Sequence, residues 1–180
     1  REKYVKHIFK KLHRDKGLLE RDCDRIVRTD RVVWGSCMVS CGDADAMVTG
    51  NTRRYGQSLK KVLKVLDSRP GEIMFGLNMV VNKGRTVFIG DTTVHEYPSS
   101  SQMADIAISA ARVVRLFGFD PKVAFLSHST FGQPITIRTK HIRDAVDILK
   151  DRKVDFKFDG DMQPDVALNN EYKDLYPFSE

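Results

Sequence analysis

Val123-Ala124-Phe125-Leu126-Ser127-His128-Ser129-Thr130-Phe131-Gly132 starts as an apolar run and breaks abruptly into hydroxyls, an imidazole and a glycine. Asp120-Pro121 precedes it. The pattern reads as a buried parallel strand reaching its carboxyl edge. In open α/β sheets that edge opens onto the ligand crevice. Hydroxyls and free backbone N–H groups there can hold phosphate or acyl oxygens. The same pattern also fits a strand followed by a polar loop that binds nothing.

Two further stretches have this character. The run 85–90 leads into Asp91-Thr92-Thr93-Val94-His95, and Val154-Asp155-Phe156-Lys157-Phe158 leads into Asp159-Gly160-Asp161-Met162-Gln163. Between these strands lie helical patterns. Residues 102–117 carry small residues (Ala104, Ala107, Ala110, Ala111) suited to close packing on a sheet, and Gly118 closes the helix. Residues 138–152 put Ile142, Val146 and Leu149 on one side. A short helix begins at Asp165. Alternation of this kind argues for an α/β fold, with a mostly parallel sheet flanked by helices. The three polar strand ends are then expected side by side along one edge. Residues 73–81 and 85–90, joined by Asn82-Lys83-Gly84, read as a hairpin.

The first part of the chain is more helical. Tyr4, Val5, Ile8, Phe9 and Leu12 make a stripe at helical spacing that Gly17 ends, and residues 18–28 continue as a second helix. Residues 32–39, rich in valine and without a helical period, read as a strand. Gly42-Asp43-Ala44-Asp45 leads into a short apolar strand. Asp43 and Asp45 could bind a metal or cap a turn; no third ligand stands at suitable spacing nearby. Thr52 opens a helix carrying Leu59, Val62, Leu63 and Leu66, with Arg69-Pro70-Gly71 as a turn beyond it.

Composition narrows the function classes. The 180 residues suffice for one domain with a real core, and 41% are hydrophobic. No apolar run approaches the roughly 20 residues of a membrane span. Arg1 opens a charged segment with no signal-peptide pattern, and the chain reads as cut from something longer. Cys23, Cys37 and Cys41 have neither disulfide-framework nor zinc spacing, which favours a reducing, cytoplasmic setting. The net charge of +6 gathers in residues 3–31 and in Arg53-Arg54 with Lys60, Lys61 and Lys64. Such patches suit phosphorylated metabolites, or are simply solvated helix faces. No aromatic stacking platform accompanies them, so nucleic acid is not the expected partner. The chain lacks G-x-S-x-G, G-x-G-x-x-G and P-loop motifs. His128 between two serines is poorly placed for a nucleophile–base pair, because neighbouring side chains leave a strand on opposite faces.

Five blocks then follow one another in a fixed order. They are Gly42-Asp43-Ala44-Asp45-Ala46-Met47-Val48-Thr49-Gly50, Val87-Phe88-Ile89-Gly90-Asp91-Thr92, Ala104-Asp105-Ile106-Ala107-Ile108-Ser109-Ala110-Ala111, Ser127-His128-Ser129-Thr130-Phe131-Gly132, and Phe158-Asp159-Gly160-Asp161-Met162 with Asp165-Val166-Ala167-Leu168. Together they resemble the phosphate acetyl/butyryl transferase family over about residues 40–170. Active phosphotransacetylases usually carry Lys and then Gly-Ser after the Ser-Thr. Here Phe131 stands in place of the Lys, and Gln133-Pro134 follow Gly132. That form resembles the transferase-like C-terminal region of bacterial hybrid NADP-dependent malic enzymes.

The resemblance implies a phosphotransacetylase-like fold, related to the isocitrate/isopropylmalate dehydrogenase architecture. Residues 1–180 would be part of the transferase-like domain, with 1–30 a helical lead-in and 31–180 the α/β portion. It implies a parent enzyme that decarboxylates malate to pyruvate with NADP and Mg2+ or Mn2+, in a malic enzyme domain of the same chain absent here. This stretch itself would hold no cofactor and would not be catalytic. It would bind acetyl-CoA or a related phosphorylated metabolite as effector and support homo-oligomers. The candidate effector or anion site is Ser127, Ser129, Thr130, Gly132, Arg53, Arg54, Asp91 and Thr92. The alternatives are a fragment of an active phosphate acetyltransferase, which makes acetyl phosphate from acetyl-CoA and phosphate, and a scaffold with a vestigial cleft.

Overall fold

The computed structural model describes residues 1–132 and 135–179, with the side chain of residue 173 left aside. The chain divides into two compact units, Arg1–Ser68 and Arg69–Glu180.

The first unit is helical: α1 (Glu2–Lys16), α2 (Glu20–Thr29), α3 (Arg31–Ser40) and α4 (Tyr55–Val62). The α1 stripe buries Tyr4, Val5, Ile8 and Leu12. They meet Cys23 and Val27 of α2, Val33 and Cys37 of α3, and Val65. Each such side chain contributes roughly 1.5–3 kcal/mol when fully buried. Gly17 ends α1 at φ +63, where its amide returns to the His13 carbonyl, a conformation that glycine adopts without steric penalty.

Residues 32–39 are helical, not the expected strand. Asp30 caps this helix by accepting from the amides of Val32 and Val33. The face it buries is Val32, Val33, Ser36 and Cys37. Ser36 broke the apolar period in the sequence, yet its hydroxyl donates to the Val32 carbonyl one turn back at 2.8 Å. A satisfied hydroxyl can sit in a core. The expected strand at 47–49 is also absent: the segment is irregular and Val48 is fully exposed. Asp43 is engaged by Lys3 Nζ at 2.9 Å and the Tyr4 hydroxyl at 2.8 Å.

The second unit is α/β. β1 (Leu77–Asn82) and β2 (Arg85–Gly90) form the expected hairpin, closed by Lys83 and Gly84 with φ +46 and +79. Two positive φ values are what a two-residue hairpin turn requires. α5 (Ser100–Leu116) starts on a capping box: Ser99 accepts from the Gln102 amide while Gln102 accepts from the Ser99 amide. β3 (Lys122–Leu126), α6 (Ile137–Asp151) and β4 (Lys157–Met162) form a β–α–β unit with parallel strands, followed by α7 (Pro164–Leu168) and a 3₁₀ turn (Asn170–Leu175). Ala104 and Ala107 of α5 and Leu149 of α6 form a core against which Val123, Phe125, Phe156 and Phe158 pack.

The single, mostly parallel sheet expected from the sequence is instead two ribbons, one antiparallel and one parallel. β2 pairs with its neighbour through the tight turn, so the 91–95 segment does not share a sheet edge with 127–132. The stretch read as a polar strand end at 159–163 is largely strand itself: β4 runs through Asp159, Gly160 and Asp161.

Candidate functional site

β3 ends at Leu126, and the 127–132 loop leaves it against the end of β4. A register shift makes this possible. Phe125 pairs with Gly160 and Leu126 with Met162, so Asp161 is an extra, unpaired residue. Such a bulge re-aims the side chain it carries. Gly160, at φ +150, is needed there, because a Cβ would lie 2.8 Å from the Phe125 carbonyl oxygen and Cβ.

The bulge buries Asp161 completely. Its carboxylate accepts from the Ser129 hydroxyl at 2.6 Å and from Arg143 Nε of α6 at 3.2 Å. Arg143 also donates through Nη2 to the Gly132 carbonyl at 2.8 Å. The Asp161 carbonyl accepts from the Phe131 amide at 2.8 Å, and the Met162 carbonyl from the Ser127 amide at 2.9 Å. Thr130 accepts from the Gln163 amide at 3.0 Å. Buried ionic groups are tolerated when their partners are this complete. The loop is therefore held rigidly from below.

On its other side, Phe131 sits at φ +46 and packs its ring against Phe178 and Tyr176, with centroids 5.1 and 5.6 Å away. Non-glycine residues in this left-handed region are uncommon and cluster where the surroundings hold them. The exposed His128 ring has no partner among the described residues. Gln133-Pro134 lie outside the described residues.

Asp91 anchors a separate turn. Its carboxylate accepts from the amides of Gly76, Thr93, Val94 and His95 and from His95 Nδ1 at 2.7 Å. Burial alone would raise its pKa, but the Thr93 and Gly76 amides and the His95 ring outweigh it and hold the group well below the usual carboxylate range. Thr92 is exposed and donates to Asn78 Oδ1. Arg53 and Arg54 belong to the first unit. Arg53 lies 3.8 Å from Asp30, which also pairs with Lys61 at 2.5 Å. Arg54 is exposed at the start of α4, with no side-chain partner among the described residues.

Of the eight candidates, the structure brings Ser127, Ser129, Thr130 and Gly132 together, in one loop. Asp161 and Arg143, which hold that loop, were not singled out in the sequence. Asp161 was legible only as part of a polar run, and Arg143 looked like one more cation on an amphipathic helix.

The family model described as phosphate acetyl/butaryl transferase matches residues 1–180. The chain belongs to this family. An NADP-dependent malic enzyme of Rhizobium meliloti is 45% identical over 175 residues, 97% of this chain and 23% of the relative. A phosphate acetyltransferase of Nitratidesulfovibrio vulgaris is 32% identical over 146 residues, 81% of this chain and 21% of the relative. The chain thus spans about a quarter of the length of such curated relatives. In structure, a phosphotransacetylase from Streptococcus pyogenes superposes with a TM-score of 0.84 at 24% identity, covering 99% of this chain and 54% of that one. The fold is that of the phosphotransacetylases.

Proposed function

We propose that this chain is the regulatory, phosphotransacetylase-like region of an NADP-dependent malic enzyme. The whole parent would oxidatively decarboxylate malate to pyruvate and CO2 in the cytoplasm. The observation that carries this reading is the 45% identity, across nearly the entire chain, to a stretch of a much longer protein named for that activity.

In this reading the 127–132 loop takes acetyl-CoA, or a related phosphorylated metabolite, as an effector. The amides of His128 and Thr130 have no acceptor among the described residues, which supports anion binding there. The Ser129 hydroxyl and the Arg143 guanidinium are spent on Asp161. Groups held this way position the loop, and Phe131, where active phosphotransacetylases usually carry a lysine, favours binding over turnover. Asp91, tied by five contacts, supports the fold beside Thr92. Arg53 and Arg54 remain candidate phosphate partners by charge alone.

NADP and a divalent metal would serve the malic enzyme part. Among the described residues no group of three His, Cys, Asp or Glu side chains is arranged to hold a metal. Among the described residues no helix is long and apolar enough to cross a membrane. Support for homo-oligomers is a further part of this proposal.

Regulation requires the effector to bind two states of the parent unequally. The test is acetyl-CoA titration of NADP-dependent malate oxidation by the parent, with and without this region. A response that disappears with the region is expected; kinetics unchanged in both cases overturn the reading. Rapid formation of acetyl-CoA from acetyl phosphate and CoA by the parent would favour an active transferase instead.

A further inference from the structure

The β3–β4 ribbon has a second face. Val123, Phe125 and Phe158 pack toward the core of α5 and α6. Strand alternation sends Lys122, Ala124, Lys157 and Asp159 the other way. There the ribbon, α7 and the segment after it line an open recess of about 220 Å³. Met162, Val166 and Ala167 give it apolar lining, Tyr172 and Tyr176 aromatic lining, and Asp159, Asn169 and Asn170 polar lining.

Lys122 and Lys157 both line this recess and are direct partners in the parallel register. Both are exposed, and neither has an acidic partner among the described residues. Like charges directly opposite on neighbouring strands destabilise a ribbon. Asp159, the next residue on that face, accepts from the Gly160 amide at 2.8 Å. The two lysines are thus cross-strand neighbours beside a recess whose lining also holds the Asp159 carboxylate, which leaves the group net positive.

We propose that this recess binds a small molecule carrying one carboxylate or phosphate group on a compact, planar or branched apolar body. The anion lies between Lys122 and Lys157, and the body packs on Tyr172, Tyr176 and Val166. The recess is smaller than the ~300–1,000 Å³ of sites for drug-sized ligands, so the body is a single ring or short branched chain. A whole nucleotide does not fit. The site is separate from the 127–132 loop and does not depend on acetyl-CoA binding there. Tyr176 nevertheless also touches Phe131, so an occupant reaches the aromatic contacts that brace the loop.

The experiment is calorimetric titration of the whole chain with phenyl phosphate, benzoate and phenol. Saturable binding of at least one anion, at least tenfold tighter than phenol, is expected. Lys122→Gln/Lys157→Gln should weaken it tenfold or more, and Ala167→Trp, which fills the recess, should abolish it. The ligand-free melting temperature of each single Lys→Gln variant should match or exceed that of the unmodified chain, because repulsion is relieved. Absence of saturable binding by either anion, or equal binding by the double variant, overturns the proposal. A lowered melting temperature in the single variants would assign the lysines to the fold and overturn it as well.

Discussion

Asp161 shows how much one side chain decides here. It is fully buried, and it joins β4, the 127–132 loop and α6 through Ser129 and Arg143. Asp161→Ala strands a guanidinium and a hydroxyl, and removal of one partner from a buried pair costs about 3–5 kcal/mol. Because Arg143 keeps 37% of its side chain in solvent, the lower end of that range is expected, read as a shift in the urea midpoint at unchanged slope. Asp91 makes a complementary prediction. Its folded pKa is depressed, so its stabilisation is present in full above the unfolded value of about 3.9 and fades only as pH falls toward the folded one. Asp91→Asn should lose about 2 kcal/mol at pH 7, in line with the loss of hydrogen bonds to a charged acceptor. The gap to the unmodified chain should narrow steadily below pH 4 in acid denaturation. A gap independent of pH would refute the role of the charge.

Among the elements, α3 was misread and α1, α2, α5 and α6 were not. The latter carry their apolar stripes in large side chains. On α3 two of the four buried positions are Ser36 and Cys37, and a hydroxyl in the stripe hides the helical period. Its start signal, Asp30, was present and unread. Asp30→Ala removes the cap and the Lys61 partner, and a loss of about 1–2 kcal/mol is expected from the cap alone, measured by thermal or urea melts. On α1, the Tyr4 hydroxyl donates to Asp43, and this bond with burial and the nearby carboxylate pushes its pKa up to about 12. A raised folded pKa means the stabilisation is intact below the unfolded value of about 10 and is lost as pH climbs through the folded one. Absorbance titration should show one tyrosine ionising near pH 12, and Tyr4→Phe should remove that step alone.

At the level of the molecule, the two units each carry their own buried cluster. Separate cores favour separate transitions. Scanning calorimetry should give a calorimetric enthalpy larger than the van't Hoff enthalpy; equality would mean that all 180 residues unfold as one. The family model spans both units, so membership is a property of the whole chain.

Local chemistry was readable from the sequence wherever it lies within a few neighbouring residues. Gly17 and Ser99 mark helix ends, Asn82-Lys83-Gly84 marks the hairpin, and the break after Leu126 marks a loop at a parallel strand end. Each depends on backbone preferences and caps formed by adjacent residues. The five ordered blocks also carried the family. Long-range pairing was not readable. The pairing of β3 with β4, the one-residue shift that turns Asp161 inward, and the meeting of Lys122 with Lys157 all depend on contacts between residues far apart in sequence. A side-chain period of two means that a single extra residue changes which face a group occupies. The sequence could place polar residues near the end of β4; only the folded chain determined that Asp161 goes inward to hold the 127–132 loop.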